Sequence, residues 1–290
     1  MKLAFYYFSG TGNTEIVVNK WAKEASKIGH ECNVFNIENI TDQDVFASDY
    51  DNICIAYPIH AFNAPEIVLK FVRKLYPSLI KRHLFIIMVS GEDMLINHSS
   101  SDKLSYILRR KNYFVESEYH YLMPYNIIFR HTEKRAFEMF DTMNKLVELD
   151  AVDYLVNHKK NTLKKHRFAK PFIALMRIEQ VFSGRIGKSF KIDQSKCINC
   201  MKCIDNCPSK NIKLIDGKFV FSNRCIVCMR CSFNCPKDAF DLGLLKKWKV
   251  NGKYKFLVPE IEENDDHIQY CKKSYDRYFS EANQRINNHN

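Results

Sequence analysis

The chain has 290 residues, and none of its apolar runs approaches the roughly 18 residues that a membrane-crossing helix needs. The sequence also lacks a secretory signal, because its first residues, MKLAFYYFSGTG, contain one Lys and a short aromatic run without a small-residue cleavage site. We therefore predict no membrane span and expect a cytoplasmic protein. The first residues themselves are typical of a β-strand.

The loop at Ser9–Thr14, SGTGNT, lacks what two nucleotide-binding motifs require. A Walker loop needs a Lys, which is absent, and a dinucleotide fingerprint needs a third Gly where this chain has Glu15. The loop still lies between a predicted strand and a predicted helix, a position that presents backbone N–H groups to a phosphate. We predict a phosphate held by neutral donors, namely the backbone amides and the side chains of Ser9, Thr11 and Thr14. The alternative is an ordinary turn that caps the helix.

Residues 1–165 alternate between strand-like and helix-like segments. The predicted strands are Leu3–Phe8, Cys32–Ile37, Ile53–Tyr57, Leu84–Ser90 and Phe114–Leu122. The predicted helices are Thr14–Gly29, Pro65–Leu75, Asp102–Lys111 and Glu133–His158. This alternation predicts an α/β domain with a parallel five-stranded sheet and right-handed crossovers.

Three further regions follow this first domain. His166–Phe190 is apolar on one side and basic on the other, and we interpret it as a helical connector that packs between two domains. A helix that lies on a membrane surface is the alternative. Residues 191–245 form the second predicted domain. Residues 246–290 form a C-terminal extension whose polar end, NQRINNHN, we expect to fray.

The second domain contains an internal repeat of cysteines. CINCMKCIDNCP at Cys197–Pro208 recurs 28 residues later as CIVCMRCSFNCP at Cys225–Pro236. Each copy has the spacing C-x2-C-x2-C-x3-C-P, in which three Cys bind one [4Fe–4S] cluster and the fourth binds the other. The predicted ligands are Cys197, Cys200, Cys203 and Cys235 for one cluster and Cys225, Cys228, Cys231 and Cys207 for the second. Between the copies, KLIDGKFVF predicts a β-hairpin.

The other interpretations of the cysteines are weaker. Structural zinc prefers two separated pairs of ligands, which this repeat does not offer. Of the eleven Cys, three lie outside the repeat. Cys32 and Cys54 fall on predicted core strands and are interpreted as small buried residues, and Cys271 receives no role.

The net charge of +11 is confined to the cysteine-rich half. Residues 1–165 carry 21 Lys and Arg against 20 Asp and Glu, whereas residues 166–290 carry 23 against 13. Iron–sulfur clusters and a flavin phosphate would bring negative charge that offsets this excess. Because no recognition motif accompanies the basic residues, we predict no nucleic-acid partner.

Both halves resemble known families. Ser9–Thr14 matches the pattern S/T-x-T-G-x-T of the flavodoxin phosphate loop, and residues 188–243 are similar to bacterial two-cluster ferredoxins. Together the chain resembles flavodoxin–ferredoxin fusion proteins. The resemblance implies a flavodoxin-like doubly wound sheet in the order 2-1-3-4-5, joined to a small α+β two-cluster ferredoxin domain. It also implies FMN at the carboxyl ends of the strands and two [4Fe–4S] clusters.

The resemblance further implies which loops hold FMN. The phosphate loop would bind the phosphate, and the loops after the third, fourth and fifth strands would flank the ring. The implied residues are Ser9, Gly10, Thr11, Gly12, Asn13, Thr14, Pro58, Ile59, His60, Ala61, Phe62, Asn63, Ser90, Gly91, Glu92, Asp93, Tyr125 and Asn126. His60 and Phe62 line the ring or simply fill their loop, and Tyr125 and Asn126 approach the ring or simply end the strand. The loop after the third strand has no Trp, so the stacking residue stays open.

Two functions compete at this stage. The first is an electron-transfer protein that passes electrons between FMN, the clusters and an external redox protein, a ferredoxin-linked one among the candidates. The second is an FMN-dependent oxidoreductase that acts on a quinone, a nitro compound or a nicotinamide, with the clusters as a relay. The sequence shows no acid–base or nucleophile constellation and no second nucleotide fingerprint, which favours the first. A third class, a metal-stapled interaction module without redox chemistry, would give a colourless protein.

Overall fold

A parallel five-stranded sheet organises residues 1–166 in the computed structural model, which describes residues 1–40, 49–166, 169–258 and 271–289. The strands are β1 (Lys2–Tyr7), β2 (Glu31–Asn36), β3 (Asn52–Pro58), β4 (Arg82–Ser90) and β5 (Tyr113–Leu122). They pair in the order β2-β1-β3-β4-β5, which confirms the predicted sheet. The strands β1, β3 and β4 are continuous apolar runs because both faces of the sheet are covered.

Helices cover these two faces. The helices α1 (Asn13–Lys27) and α4 (Glu133–Leu155) pack on one face, and α2 (Glu66–Lys74) and α3 (Asp102–Arg109) pack on the other. Since all five strands run parallel, their carboxyl ends meet at one edge of the sheet, where the connecting loops converge.

Helix α5 (Ala169–Lys188) leads from the sheet to the cysteine-rich part and is docked on the loop after β3. The Arg177 guanidinium donates to Asn63 Oδ1 at 2.9 Å, and the Gln180 amide donates to the His60 carbonyl at 3.3 Å. The helix also exposes apolar residues such as Leu175 and Val181. None of the described helices is long and apolar enough to span a membrane.

The cysteine-rich part consists of short elements. The strands β6 (Lys191–Ile192) and β9 (Phe240–Asp241) pair, and β7 (Ile212–Ile215) and β8 (Lys218–Phe221) form the predicted hairpin. The helices α6 (Lys202–Asp205) and α7 (Arg230–Phe233) each follow a Cys-x2-Cys segment, and a 3-10 turn spans Gly243–Trp248.

The internal repeat of the sequence is also a repeat of the backbone. Non-glycine residues with positive φ occur in pairs 28 residues apart, at Asn199 and Val227, Met201 and Met229, and Lys210 and Asp238. The φ values within each pair agree closely, for example 58° at Met201 and 60° at Met229. The two copies therefore wind in the same way, although their side chains differ.

The C-terminal end forms helix α8 (Lys272–Asn287), which packs on the α1–α4 side of the sheet. Its Tyr275 side chain is buried, and Arg285 forms an ion pair with the buried Asp150. The expectation that this end frays is therefore wrong for residues 283–287. Burial of one helix face and a charge pair hold a segment that looks polar when the sequence is read alone.

Candidate cofactor sites

A cavity of about 730 Å³ opens at the carboxyl edge of the sheet. Its volume lies in the range of small-molecule and cofactor sites. Most of the residues that the resemblance implies for FMN line it, together with residues of the cysteine-rich part. The lining residues among those implied are Ser9, Gly10, Thr11, Asn13, Thr14, Pro58, Ile59, His60, Ala61, Phe62, Ser90, Gly91, Tyr125 and Asn126.

The loop at Ser9–Thr14 is held in place by hydrogen bonds that leave two buried polar atoms open. The Gly12 N–H donates to Ser9 Oγ at 3.1 Å, and the Asn126 amide donates to Thr11 Oγ1 at 2.6 Å. Gly12 has a φ of 109°, a left-handed conformation that favours glycine, and α1 begins directly after it. Thr14 Oγ1 and Asn126 Oδ1 are buried without a hydrogen-bond partner among the described residues. Such orphaned atoms beside a cavity fit a polar ligand, and a phosphate is the anion that this loop type binds.

The loop after β3 is strained and supported from behind. Ala61 and Phe62 both have positive φ, 46° and 60°, which non-glycine residues rarely adopt. Asn63 does not line the cavity; its amide donates to the Ala61 carbonyl at 2.7 Å and supports the turn. The Phe62 ring packs against Phe172 of α5 at 5.6 Å. Burial lowers the pKa of His60 to about 4, so its imidazole is neutral near pH 7.

The loop after β4 divides between the cavity and the interior. Ser90 and Gly91 line the cavity, and a Cβ on Gly91 would lie 2.5 Å from the Tyr125 ring, so only glycine allows this ring to pack there. Glu92 and Asp93 do not line the cavity. Glu92 accepts from Ser274 Oγ at 2.9 Å and from Tyr125 Oη at 3.4 Å.

Asp93 lies behind the loop, among basic side chains. Burial alone would raise the pKa of Asp93, but the neighbouring His120, His98 and Arg277 lower it well below its ordinary value. Burial lowers the pKa of His120. Asp93 is therefore a carboxylate in the folded chain.

The first cysteine set, Cys197, Cys200, Cys203 and Cys235, lines an open groove of about 600 Å³ that reaches the outer side of the loop at Ser9–Gly12. Burial raises the pKa of the Cys203 thiol to about 11, and the other three thiols of the set raise it further. These four thiols are therefore electrostatic neighbours, as a shared metal centre requires.

The second cysteine set, Cys207, Cys225, Cys228 and Cys231, is packed inside. Burial raises the pKa of the Cys228 thiol to about 12, and Cys225 and Cys207 add to this. Backbone N–H groups also donate to sulfurs of both sets. Asn211 N donates to Cys207 Sγ at 3.2 Å and Val227 N to Cys225 Sγ at 3.4 Å in the second set, and Ala239 N donates to Cys235 Sγ at 3.3 Å in the first. Hydrogen bonds to ligand sulfurs are among the features that adjust cluster potentials. Two sets of four thiols fit two four-iron clusters in ligand number and type.

Arg230 lies between the second and third Cys of the second Cys-x2-Cys-x2-Cys run and binds this run to the phosphate loop. Its Nε donates to the Gly10 carbonyl at 2.9 Å and its Nη2 to the Ser9 carbonyl at 2.6 Å. The same guanidinium forms a two-pronged ion pair with Glu38 just after β2. The side chains of both partners are mostly buried, with 15% and 11% exposed.

The backbones of the two parts also touch. A Cβ on Gly10 would lie 2.6 Å from the Cys228 carbonyl oxygen, so only glycine permits this approach. Cys225 and Cys228 line the same cavity as the phosphate loop. The sequence alone does not reveal the pair of Arg230 and Glu38, since neither lies in a motif position that signals a contact with a residue about 190 positions away.

Comparison with known proteins agrees with this arrangement. A family model for the flavodoxin domain matches residues 4–111, and one for a 4Fe-4S binding domain matches residues 189–212. These two matches support a flavodoxin–ferredoxin-like fusion. A flavodoxin domain and a 4Fe-4S binding domain in one chain support an electron-transfer protein of the FMN and iron–sulfur type. No curated protein matches it.

Solved structures that are similar to this chain include three that each cover about half of it. A two-electron-reduced flavodoxin from Megasphaera elsdenii is 20% identical, with 41% of this chain and 84% of that chain covered and a TM-score of 0.34. A flavodoxin from the domain Archaea is 11% identical, with 52% and 99% covered and a TM-score of 0.35. The Flv1 flavodiiron core from Synechocystis sp. PCC6803 is 16% identical, with 53% and 35% covered and a TM-score of 0.41.

Proposed function

We propose that this fusion passes electrons between FMN in the 730 Å³ cavity, two [4Fe–4S] clusters on the two cysteine sets, and an external redox protein. The observation that carries the proposal is the shared wall, since Cys225 and Cys228 line the same cavity as every residue of the phosphate loop except Gly12. FMN exchanges two electrons or one, whereas each cluster exchanges one, so the combination links the two kinds of redox chemistry.

The chain would hold the FMN phosphate by hydrogen bonds rather than by a dedicated cation. The Thr14 hydroxyl is buried and unpaired, and it would donate to the phosphate. Arg230 is the basic residue that touches this loop, but it donates to the Ser9 and Gly10 carbonyls and is neutralised by Glu38. Hydrogen bonds to an ionised acceptor are stronger than neutral ones, so the hydroxyls and amides suffice.

The two cysteine sets would hold the clusters as thiolates. Because burial and mutual repulsion raise the pKa of Cys203 and Cys228, these thiols keep their protons until a cationic centre replaces them. Cluster binding therefore releases protons and stabilises the folded state of this part.

The first cysteine set is the side that would face an external partner. Cys200 is exposed and the neighbouring Ile198 keeps 56% of its surface, whereas the second set is covered by the sheet domain. Lys202 and Lys237 line the same groove. We expect an acidic redox protein, whose association weakens as the salt concentration rises.

The test is rapid mixing of the anaerobically purified protein with a one-electron donor at several protein concentrations. Flavin and cluster absorbance should reach their final ratio at a rate that does not depend on protein concentration. A rate proportional to concentration would show that the two sites do not communicate within one chain.

A second set of mixing experiments separates the two candidate functions. NADH, NADPH and a reduced ferredoxin are offered in turn under the same anaerobic conditions. Rapid reduction by the ferredoxin alone supports the electron-transfer function. Rapid reduction by a nicotinamide instead favours the oxidoreductase that acts on a small molecule.

A further inference from the structure

Three side chains that can bind a metal ion meet behind the cavity wall at Ser90–Gly91. Asp93 follows β4, His98 lies in the 3-10 turn Leu95–Ser99, and His120 belongs to β5. Their side chains are about nine-tenths buried or more, with 9%, 10% and 2% exposed. The site is separate from both cysteine sets and from the cavity itself.

The spacing of the three donor atoms suits one ion. Asp93 Oδ1 lies 3.2 Å from His98 Nε2 and 3.5 Å from His120 Nδ1, and all three atoms lie within 4.8 Å of one another. A tetrahedral zinc ion with bonds of about 2.0–2.1 Å separates its ligand atoms by about 3.3 Å. Two of the three separations already match this value.

The hydrogen bonds of the imidazoles turn their free nitrogens towards Asp93. His98 Nδ1 lies 2.8 Å from the Lys164 carbonyl, which can only accept, so this nitrogen carries the proton. The Ser90 hydroxyl donates to the Glu92 carbonyl and accepts from His120 Nε2 at 2.8 Å. Ligand histidines in metal sites are oriented by just such contacts of the second ring nitrogen.

When both imidazoles are neutral, this arrangement places acceptors against an acceptor. His98 Nε2 and His120 Nδ1 both face the same carboxylate oxygen, and His120 Nδ1 has no hydrogen-bond partner among the described residues. One proton can join Asp93 Oδ1 to one of the two nitrogens, and it leaves the other buried and unpaired. A cation between the three atoms satisfies all of them.

A positive charge lies beside the three side chains. Arg277 of α8 binds the other carboxylate oxygen, Asp93 Oδ2, at 2.8 Å. Arg277 therefore fixes the orientation of the carboxylate, and the other oxygen, Oδ1, faces the two imidazoles. Its own charge opposes a second cation, so it lowers the affinity for a metal.

We propose that Asp93, His98 and His120 bind one divalent transition-metal ion, of which Zn²⁺ is the probe. Imidazole and carboxylate ligands suit zinc and ferrous iron, and three protein ligands leave a fourth position open. The ion ties β4, the 3-10 turn and β5 together directly behind Ser90. It therefore fixes the cavity wall, and this proposal stands whether or not the proposed electron path is correct.

The experiment compares the full-length, cofactor-loaded protein with a His98→Gln/His120→Gln double variant after anaerobic equilibrium dialysis against micromolar Zn²⁺. The total transition metal per chain, counted by mass spectrometry, should be about one ion lower in the double variant. His83→Gln is the matched control, because His83 pairs with Glu116 at 3.5 Å but meets no second imidazole there. This control should keep the full metal content.

X-ray absorption at the zinc edge of the wild-type protein gives a second measurement that does not depend on folding of a variant. Nitrogen and oxygen neighbours at about 2.0–2.1 Å, with imidazole scattering, are expected. Equal metal content in wild type and double variant overturns the proposal. So does zinc surrounded by sulfur at about 2.3 Å, which would place it on the cysteine sets.

Discussion

The two copies of the cysteine repeat share a motif and a backbone, but they differ in what surrounds them. In the first copy Ile198, Cys200 and Lys202 are exposed, whereas their counterparts in the second copy, Ile226, Cys228 and Arg230, are partly buried against the sheet domain. The two copies differ in the side chain that makes the docking contacts. In the second copy Arg230 binds Ser9, Gly10 and Glu38, and the equivalent position in the first copy is Lys202. In the proposed electron path, the two copies would therefore take different places because their docking contacts differ.

We expect the largest effects when one cysteine ligand is removed, from the first copy in one variant and from the second copy in another. The intact protein should contain about one FMN and about eight irons with eight acid-labile sulfides per chain. Cys200→Ala and Cys228→Ala should each reduce iron to about four per chain. Only Cys228→Ala should also slow the exchange between flavin and the remaining cluster, by at least tenfold in rapid mixing. Retention of eight irons in either variant, or two zinc ions in place of iron, would contradict the assignment of ligands.

The residue that differs between the copies gives the next largest effect. Arg230→Met leaves the mostly buried Glu38 without its partner, which costs about 3–5 kcal/mol of stability for a buried pair. The loss should be measured by urea unfolding of the holoprotein. Lys202→Met, the matched change in the first copy, should stay within about 0.5 kcal/mol of wild type. A double variant, Arg230→Met with Glu38→Gln, should recover part of the loss; no recovery would mean that the ion pair is not the cause.

A substitution in the phosphate loop should affect cofactor binding in the sheet domain without affecting the cysteine-rich part. Thr11→Glu places a carboxylate where a phosphate would accept hydrogen bonds, so FMN binding should weaken by about 2–4 kcal/mol while the iron content stays the same. Flavin fluorescence titration and iron analysis measure the two effects. Thr162→Glu, at an exposed position, serves as the control. If Thr11→Glu binds FMN as tightly as wild type, the loop is only a helix cap.

The smallest effect is a pH dependence that belongs to the sheet domain. The pKa of His60 is lowered by burial to about 4, below its value in the unfolded chain of about 6.5. Between these two values the unfolded state binds the extra proton, so stability falls as the pH falls. The slope should be at most about 1.4 kcal/mol per pH unit, and less because the side chain keeps some solvent contact. His60→Gln should flatten the curve of unfolding free energy between pH 6.5 and 5; an unchanged slope would assign it to another group.

The parts of this protein that local patterns encode could be predicted from the sequence. The apolar runs at β1, β3 and β4 predict buried parallel strands, and the regular spacing of eight cysteines predicts two sets of ligands. Asn63, Glu92 and Asp93 were expected beside the flavin because they lie in the right loops. Loop position does not determine side-chain direction, and these three point away from the cavity.

Contacts between segments far apart in the chain could not be predicted from the sequence. Arg230 meets Glu38 and Ser9 across about 190 and 220 positions, and α8 reaches Asp93 through Arg277. No period or motif in one sequence signals such pairs, since each member looks like an ordinary exposed charge. The cluster of Asp93, His98 and His120 is likewise created by β4 and β5 lying side by side.

Gly10 belongs to the phosphate loop of the sheet domain and is also a residue at which the cysteine-rich part approaches this loop closely. With no side chain at this position, the phosphate loop and the carbonyl of Cys228 meet without any intervening atoms. Any larger residue would act as a wedge and move the two redox sites apart by about the width of a methyl group. Because the rate of electron tunnelling falls steeply with distance, the absence of a side chain at Gly10 would speed transfer along the proposed electron path. In evolutionary terms, the two fused domains can no longer change independently at this point.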